Sequence, residues 1–496
     1  MSVAVESPVE FSSAIEPQSE RPGLQERLSR PQTERHDSDF TAVGPATPAG
    51  DKLDSATDEA RIANGAAEQV QGVVYVVNVE AAYPPPIVSS ALAITPVVEL
   101  LSESRGLRRF RMFASFVTLF LAGWNGGATG ALIPSIERAF GIGYARVAIL
   151  FVSTFMGYVA AAAGGGVLSR KIGFGGALLA AVAIELIGNV INASQQASFG
   201  LMCFGFWIIG IAFATQLGLC NAYFTLLKKP LLYTGFLHGM FGLGAFASPL
   251  VATAMVTRGI PYHFFYLTNV GMNVPVFALV WFAFRNLDSL SSNPADTLTL
   301  QGSATMRDTL KSRTVWTLAI FLMLYIGAED SIGGWIVSYV LEVRKGTPEG
   351  ASWVASSFYL GIAIGRIVLP TLSILLGERR AVFIYIFLAI VLEAVAWAVP
   401  VLASTALATA LVGLAISTFY AAAITTGGRL LPRPMHADAF LLISSVGQSG
   451  SALFPLVVGL VSSKKGIWVV EPIILALLGG QGVFWYLVPK VQRRAD

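Results

Sequence analysis

The segment 321–340, FLMLYIGAEDSIGGWIVSYV, is apolar enough to cross a lipid bilayer but places two adjacent acids, Glu329 and Asp330, near its centre. A carboxylate at the middle of a membrane costs about 2.5–3.5 kcal/mol on insertion scales. Such a side chain therefore needs a cavity, a partner or a proton. Because neighbouring residues project about 100° apart on a helix, both acids rarely face one cavity. Glu329 is thus the first candidate for a functional acid and Asp330 the second, with a hydrogen bond between helices as the alternative for each.

The rest of the chain is also apolar. Hydrophobic residues make up 54% of it and charged residues 13%, and its mean hydropathy is +0.65. Soluble domains carry about 25% charged residues, so the composition predicts a polytopic protein surrounded by the lipid bilayer. The net charge of +3 gives no indication of a nucleic-acid partner, and we expect none.

Twelve apolar runs of membrane-spanning length follow Arg111 and are called segments 1 to 12. They occupy 112–134, 146–168, 174–192, 199–227, 232–256, 264–284, 314–341, 351–376, 381–400, 404–427, 437–461 and 468–489. This pattern predicts an all-α membrane protein made of two six-helix bundles, 110–284 and 313–490, joined by a cytoplasmic linker, 285–312. The acidic residues 1–109 are predicted to form a disordered cytoplasmic tail, and 491–496 to form a second, short one.

The distribution of positive charge predicts the orientation of the chain. With the amino terminus in the cytosol, the segments on the cytoplasmic side contain 19 Lys and Arg residues and the outside loops contain 7. Short loops rich in Lys and Arg remain on the cytoplasmic side. Both termini are therefore predicted to be cytoplasmic.

The two halves of the chain repeat each other. TFMGYVAAA (154–162) parallels FYLGIAIGR (358–366) at an offset of 204 residues, and the same offset pairs Asn125 with Glu329. Parallel repeats of this kind place a solute site near the midplane, between the halves. We therefore predict that Asn125 and Glu329 face each other across a central cavity.

Neither catalysis nor a bound metal is expected. A Gly-Lys dipeptide, which a Walker A motif requires, occurs nowhere in the chain. The sequence also lacks a Cys/His cluster of metal-binding spacing and a GxSxG nucleophile motif. The prediction is a protein that is not an enzyme and holds no cofactor or metal.

Three further charged residues are predicted to lie deep in the membrane, away from the ends of the apolar runs. Arg366 in segment 8 keeps its proton, so it needs a partner; either a pair that locks the cytoplasmic side or a structural contact with the 377–380 loop would provide one. Glu185 and Glu393 occupy similar positions in segments 3 and 9. For both we expect snorkelling toward the outer interface or packing within a bundle.

Several neutral polar side chains are candidates for solute binding. They are Asn125, Gln216, Asn221, His238, Trp335, Tyr420 and Gln448. Each alone is more often a hydrogen bond between helices, and that alternative stays open. Asn192 begins an Asn-Ala-Ser sequon in a loop so short that we expect it to remain unglycosylated.

Between residues 110 and 490 the chain resembles the major facilitator superfamily. That family carries Gly-x-x-x-Asp-Arg-x-Gly-Arg-Arg between helices 2 and 3. Here GGVLSRKIGFGG (165–176) keeps Arg170, with Ser169 in place of the Asp and the spacing shifted by one, and LGERR (376–380) follows segment 8. The resemblance implies gating roles, which we assign to Arg170, Arg366, Glu378, Arg379 and Arg380.

Two stretches, AGWNGGATGALIP (122–134) and YIGAEDSIGGWIVSYV (325–340), resemble the fungal members of the fucose-permease-like branch. This resemblance implies proton-coupled movement of a sugar or another small organic solute by alternating access. Asn125 replaces the usual carboxylate of helix 1, which leaves Glu329 as the candidate for proton coupling, with Asp330 as the second. Export of a fungal metabolite or toxic compound, and a non-transporting sensor that signals through residues 1–104, are the alternatives. We expect a monomer in the plasma membrane, with the vacuolar membrane as the alternative.

Overall fold

The regular elements of the protein are helices wherever the chain is described. The computed structural model describes residues 104–194, 198–287 and 306–490. Residues 1–103 of the predicted amino-terminal tail, the short tail 491–496 and the central part of the predicted linker lie outside these residues. The prediction of disorder is wrong for residues 105–109, which form the first turn of a helix. The other predicted bundle boundaries stay a prediction.

The first half of the chain forms six long helices. They are α1 (Arg105–Phe140), α2 (149–172), α3 (174–193), α4 (Phe199–Thr225), α5 (Pro230–Thr257) and α6 (Phe265–Phe284). A single helical turn, Tyr144–Val147, precedes α2. No loop separates α2 from α3. The helical run Ile149–Ala193 is broken only at Gly173, where φ is 74° and ψ is 171°. This left-handed φ is favourable only for glycine, so Gly173 sets the reversal between the two membrane crossings.

The second half also forms six long helices. They are α7 (Arg313–Glu342), α8 (Pro348–Leu376), α9 (Glu378–Ala398), α10 (Leu402–Leu430, in two pieces that meet at Ser417 and Thr418), α11 (His436–Lys465) and α12 (Val470–Leu487). Eleven stretches of the described chain are long and apolar enough to cross a membrane, and one of them, Tyr144–Ala193, contains both α2 and α3. The predicted twelve crossings are therefore present in the described residues.

Side-chain caps fix where several of these helices begin. The hydroxyl groups of Ser104, Ser198 and Ser312 accept hydrogen bonds from backbone N–H groups in the first turns of α1, α4 and α7. Thr347 does the same for α8, whose first residue is Pro348. These caps satisfy N–H groups that otherwise lack partners. They also explain why α1 and α8 begin before their apolar runs, since hydropathy marks only the part of a helix that crosses lipid.

The sequence repeat is visible in how the helices pack. A Cβ built on Gly157 of α2 would lie 2.3 Å from the carbonyl oxygen of Trp207 on α4, and one on Gly361 of α8 would lie 1.9 Å from that of Ala410 on α10. Both glycines therefore let two backbones touch, as small residues commonly do between membrane helices. The two positions are 204 residues apart, so the repeat detected in the sequence corresponds to an equivalent helix contact in each half.

The two halves meet closely at their predicted outer ends. The hydroxyl group of Tyr144 donates a hydrogen bond to Glu342 at the end of α7, and the backbone N–H of Ala145 donates to Ser463 Oγ of α11 at 2.9 Å. The ring of Trp335 packs against the ring of Tyr144, with 5.6 Å between the centroids. These contacts close the outer end between the halves.

Candidate functional site

The central feature of the structure is an ion pair between two membrane helices. Arg366 Nη2 of α8 lies 3.1 Å from Glu329 Oε1 of α7, and the two side chains are 17% and 14% exposed. The same guanidinium nitrogen donates to the hydroxyl group of Tyr325 at 3.4 Å. Tyr325 lies one turn before Glu329 on α7, so both of these side chains face α8.

This arrangement decides between the two predicted partners of Arg366. The expected contact with the 377–380 loop is wrong, because the guanidinium group turns toward α7 and bonds to Glu329 and Tyr325. All three residues belong to the second half of the chain. The ion pair therefore stabilises the contact between α7 and α8, and its predicted role in gating stays a prediction.

The neighbouring acid, Asp330, points in a different direction. It is partly buried and interacts electrostatically with Tyr158 of α2 and Tyr359 of α8. Adjacent helical residues project about 100° apart, so Glu329 forms the ion pair with Arg366 while Asp330 interacts with Tyr158 of the first half and with Tyr359 and Arg366 of the second. Both acids face polar side chains rather than lipid.

A histidine of the first half completes the group. His238 of α5 is partly buried and interacts electrostatically with Arg366. The two helices are close here, since a Cβ built on Gly235 of α5 would lie 3.4 Å from the carbonyl oxygen of Arg366. The resulting group, called the central cluster below, draws on both halves. Its members are Tyr158, His238, Tyr325, Glu329, Asp330, Tyr359 and Arg366.

Solved structures of transport proteins have the same helix arrangement. A nucleoside transporter matches with a TM-score of 0.61 at 15% identity, over 77% of this chain and 98% of that one. The 496-residue chain therefore has the major facilitator fold. A bacterial homologue of the human lysosomal transporter Spinster, in an inward-facing and unoccupied conformation, also has a TM-score of 0.61 at 15% identity, over 78% and 98% of the two chains. The fucose:proton symporter of E. coli has a TM-score of 0.54 at 14% identity, over 76% and 98%. The major facilitator fold implied by the sequence resemblance is thus confirmed.

A curated relative also covers most of the chain. Bypass of stop codon protein 6 of Saccharomyces cerevisiae is 23% identical over 419 residues, which are 77% of this chain and 83% of that protein. No protein-family model matches the chain. The relative is a fungal protein, as are the proteins that the two quoted stretches resemble.

Two residues predicted to bind a solute, Asn125 and Gln216, are not members of the central cluster. Asn125 of α1 is 6% exposed, and its Nδ2 faces Asn189 Oδ1 of α3 at 3.4 Å. Gln216 of α4 is fully buried and donates from Nε2 to Glu185 Oε2 at 2.9 Å. The prediction that Asn125 faces Glu329 across a cavity is wrong, because each side chain bonds to partners within its own half.

Trp335 is likewise not positioned to line a cavity. It is 0% exposed, and its indole N–H donates to the carbonyl oxygen of Pro455 on α11 at 3.1 Å. Its ring contacts Tyr144 and Phe151 in the closed outer end. Trp335 therefore belongs to the contact between the halves, and its expected role in binding a solute is corrected accordingly.

The other predicted binding residues are more accessible. Tyr420 of α10 is 39% exposed, with its hydroxyl group 3.0 Å from Ser444 Oγ of α11. Asn221 and Gln448 are partly buried on α4 and α11. Their role in binding a solute stays a prediction.

The residues predicted to form a gate make contacts within the second half. Glu378 at the start of α9 pairs with Arg429 of α10 at 2.8 Å and accepts from Thr425. Arg379 donates to backbone carbonyls at the end of α12, whereas Arg380 and, in the first half, Arg170 are exposed. These bonds hold α9 to α10 and α12, and the proposed gating role stays a prediction.

We expect Arg379→Gln to lower the melting temperature of the purified protein. The side chain donates to the carbonyl oxygens of Tyr486 and Pro489, each at 3.1 Å, and the last carbonyls of a helix have no partner within the helix. Hydrogen bonds to charged groups contribute about 1.5–3 kcal/mol. Arg380→Gln, which removes the neighbouring exposed guanidinium group, is the matched control and should leave the melting temperature unchanged. An equal effect of both substitutions would contradict this assignment.

Glu185 and Glu393 are both 2% exposed, so the snorkelling expected for them is wrong and the alternative, packing inside a bundle, holds. Glu393 of α9 is hydrogen-bonded to Glu471 of α12, which also interacts with Arg344 and Tyr339. A hydrogen bond between two carboxyl groups requires a proton on one of them. Sequence reasoning passed over Glu471, which lies near the start of segment 12.

Two residues of the central cluster, Tyr158 and Tyr359, were not predicted, although their position in the repeated motif could have indicated them. Tyr158 lies one residue after Gly157 and Tyr359 lies two residues before Gly361, so both are inside the repeated motif.

Asn192, the first residue of the sequon, is 0% exposed and packs against Gly205 of α4, whose Cβ position would lie 2.2 Å from Asn192 Oδ1. That the sequon remains unglycosylated stays a prediction.

Proposed function

We propose that this protein moves a small polar organic solute across a membrane by alternating access of its two six-helix halves. The observation that carries the proposal is the central cluster. It places an arginine, two acids and a histidine between helices of both halves, in a chain of which 54% is hydrophobic and only 13% charged. Ionisable groups within a membrane are costly, and they commonly mark a pathway for a substrate or a proton.

The closed outer end supports one state of such a cycle. The contacts of Tyr144 with Glu342, of Ala145 with Ser463 and of Tyr144 with Trp335 bring the halves together on that side. A carrier needs this closure to be reversible, so that the central cluster faces one side of the membrane at a time. We infer that the structure corresponds to the inward-facing state, which is the state in which the Spinster homologue was solved.

Glu329 is the proposed site of proton coupling. When it is ionised, its pairing with Arg366 at 3.1 Å neutralises both charges. Protonation removes the charge of the carboxylate and frees the guanidinium group for another acceptor, such as a hydroxyl group of the solute. The proton and the solute would then affect each other through Arg366, and this coupling is reciprocal in binding free energy.

The chemistry of the central cluster favours a solute with hydroxyl groups. Three tyrosine hydroxyls, a guanidinium group and an imidazole offer hydrogen bonds. Trp335, whose exposure would have favoured an amphipathic exported compound, is fully buried against Tyr144 and Phe151. The printed names of two matched structures, a fucose:proton symporter and a nucleoside transporter, also refer to solutes with several hydroxyl groups. Import of such a solute is therefore preferred over export of an apolar metabolite. We retain the plasma membrane and a monomeric state as parts of the proposal.

We expect a sugar or nucleoside to stabilise the purified protein against thermal unfolding. A ligand at one hundred times its dissociation constant adds about 2.7 kcal/mol to the stability of the folded state. Monosaccharides, polyols, nucleosides, organic acids and aromatic metabolites would be compared at equal concentration. Stabilisation by aromatic metabolites alone would reverse the proposed solute class. No uptake of any stabilising solute by proteoliposomes, with or without a pH gradient, would contradict transport and favour a sensor.

A further inference from the structure

Two acidic side chains, one from each half, meet at the closed outer end. Glu137 lies in the last turn of α1, and Glu342 is the last residue of α7. Their carboxyl groups interact electrostatically. The hydroxyl group of Tyr144 donates to Glu342 Oε1 and also interacts with Glu137. The outer end of the first half is thus joined to that of the second half through two acids, which are called the outer acid pair below.

The surroundings of Glu137 leave its carboxyl group poorly compensated. The residue is partly buried, and its Oε1 is shielded from solvent without a hydrogen-bond partner within the described chain. The charged and titratable groups that interact with it are Glu342 and Tyr144, neither of which carries a positive charge. A shielded carboxylate oxygen without a donor is unfavourable, and a second carboxylate beside it adds repulsion.

The positive side chains on the neighbouring elements bond to other groups or are exposed. Arg138 donates to two oxygens of its own helix, and Arg344, which follows α7, donates to two carbonyl oxygens in the last turn of α9. Tyr262 and His263, before α6, pack against each other. The exposed cations are Arg146, Lys345, Lys464 and Lys465. None of these groups is among those that interact with Glu137 in the described chain.

Closure of the outer end therefore changes how tightly the outer acid pair binds a proton. In the closed state the two carboxyl groups are neighbours, so a proton on one of them removes their repulsion. When the halves separate at this end, each carboxyl group faces water and ionises independently of the other. Binding of the proton and closure of the outer end thus favour each other, because such coupling is reciprocal.

We propose that Glu137 and Glu342 form a proton-operated switch, in which protonation of the pair from the outer side favours the closed outer end and loss of the proton favours its opening. This inference rests on the alternating access proposed above, and adds control of the outer gate by external pH to the coupling assigned to Glu329. One proton shifts the ratio of closed to open molecules by at most about tenfold per pH unit.

The test is the distance between two spin labels in the full-length protein in lipid nanodiscs, at acidic and at neutral pH. The labels are attached to cysteines introduced at Ile260, between α5 and α6, and at Val401, between α9 and α10. Both positions are exposed in outer loops of different halves. Cys203 and Cys220 are replaced by alanine in this background. Acidic pH should increase the population with the shorter distance, and neutral pH the population with the longer one.

Two variants assign this response to the outer acid pair. Glu137→Gln and Glu342→Gln each remove the repulsion, so both should favour the short distance at neutral pH and lose the response to pH. Because Glu342 is exposed, its substitution should leave folding intact. Glu349→Gln is the matched control, since it makes the same change at an exposed acid in the first turn of α8, at the same outer end, and should keep the full response.

The proposal is overturned if the unchanged protein shows no response to pH, or if the response survives in both variants of the pair. In the second case the titrating groups would belong to the central cluster. Uptake of solute by proteoliposomes separates this inference from the proposed function. Uptake together with a distance that is independent of pH would refute the switch alone. A distance that depends on pH through the outer acid pair, without uptake of any solute, would support the switch and contradict transport.

Discussion

Glu329→Gln is expected to abolish proton-driven accumulation of solute while leaving exchange of solute across the membrane partly intact. Glutamine has the shape of glutamate and keeps an oxygen that can accept from Arg366 and face Tyr325. It cannot, however, bind or release a proton. A carrier that couples through this residue would then run only down the gradient of the solute.

Loss of the ion pair in Glu329→Gln should also lower the stability of the folded protein. Removing one partner of a buried ion pair typically costs about 3–5 kcal/mol, because the remaining charge is left without compensation. The pair here is 14–17% exposed, so water screens part of this loss and the penalty should be smaller. A measurable fall in melting temperature should therefore accompany the loss of accumulation.

The measurement is uptake by proteoliposomes of the solute that best stabilises the protein, with and without an inwardly directed proton gradient. Asp330→Asn is the matched control, since it neutralises the adjacent acid, which interacts with Tyr158 and Tyr359, whereas the ion pair with Arg366 is formed by Glu329. Accumulation that remains proton-driven in Glu329→Gln would exclude this residue from coupling. Loss of coupling in Asp330→Asn alone would transfer the role to its neighbour.

The number and order of the membrane helices follow directly from the sequence. Each crossing must pair its own backbone groups and present apolar side chains to lipid, so a run of sufficient length has essentially one structure. Hydropathy does not determine where a helix ends, because that depends on caps and turns. Ser104 begins α1 before its apolar run, and Gly173 divides a helix that hydropathy shows only as a short interruption.

The candidate site was only partly predictable. Glu329 stands out because an acid at membrane depth requires compensation, and Arg366 because it keeps its charge. Their pairing was not predicted, since the sequence does not show which faces of α7 and α8 meet. The repeat places Asn125 at the position corresponding to Glu329, but repeated backbones do not require repeated side-chain partners. Asn125 faces Asn189 on α3 and also hydrogen-bonds to Glu185, the buried acid of the same helix.

Gly130→Ala is expected to shift the protein from a state closed at its outer end toward one that is open there. Gly130 lies on α1 where α7 of the other half crosses it. A Cβ built at this position would lie 2.1 Å from the carbonyl oxygen of Gly333 and 3.1 Å from that of Gly334. Both neighbours are backbone atoms, so the clash is relieved only if the two helices separate. Separation of these helices is what opening of the outer end requires.

The size of the shift follows from the cost of overpacking. Inserting a methylene group into a well-packed contact typically costs about 1–3 kcal/mol. A free-energy difference of this size changes a two-state population by about 5- to 150-fold. Spin labels on cysteines introduced at Ala139 of α1 and Lys465 of α11, both exposed, would report the distance between the outer ends. Cys203 and Cys220 would be replaced by alanine in this background.

Two glycines of the first half serve as controls for this experiment. A Cβ on Gly164 has no atom within 4 Å, so Gly164→Ala should change neither the distance nor the stability. A Cβ on Gly244 of α5 would lie 2.0 Å from the carbonyl oxygen of Phe120 on α1, within the same half. Gly244→Ala should therefore lower the melting temperature without lengthening the distance between the halves. If Gly130→Ala behaves like Gly244→Ala, the contact between α1 and α7 is a fixed part of the fold, and the outer end opens elsewhere.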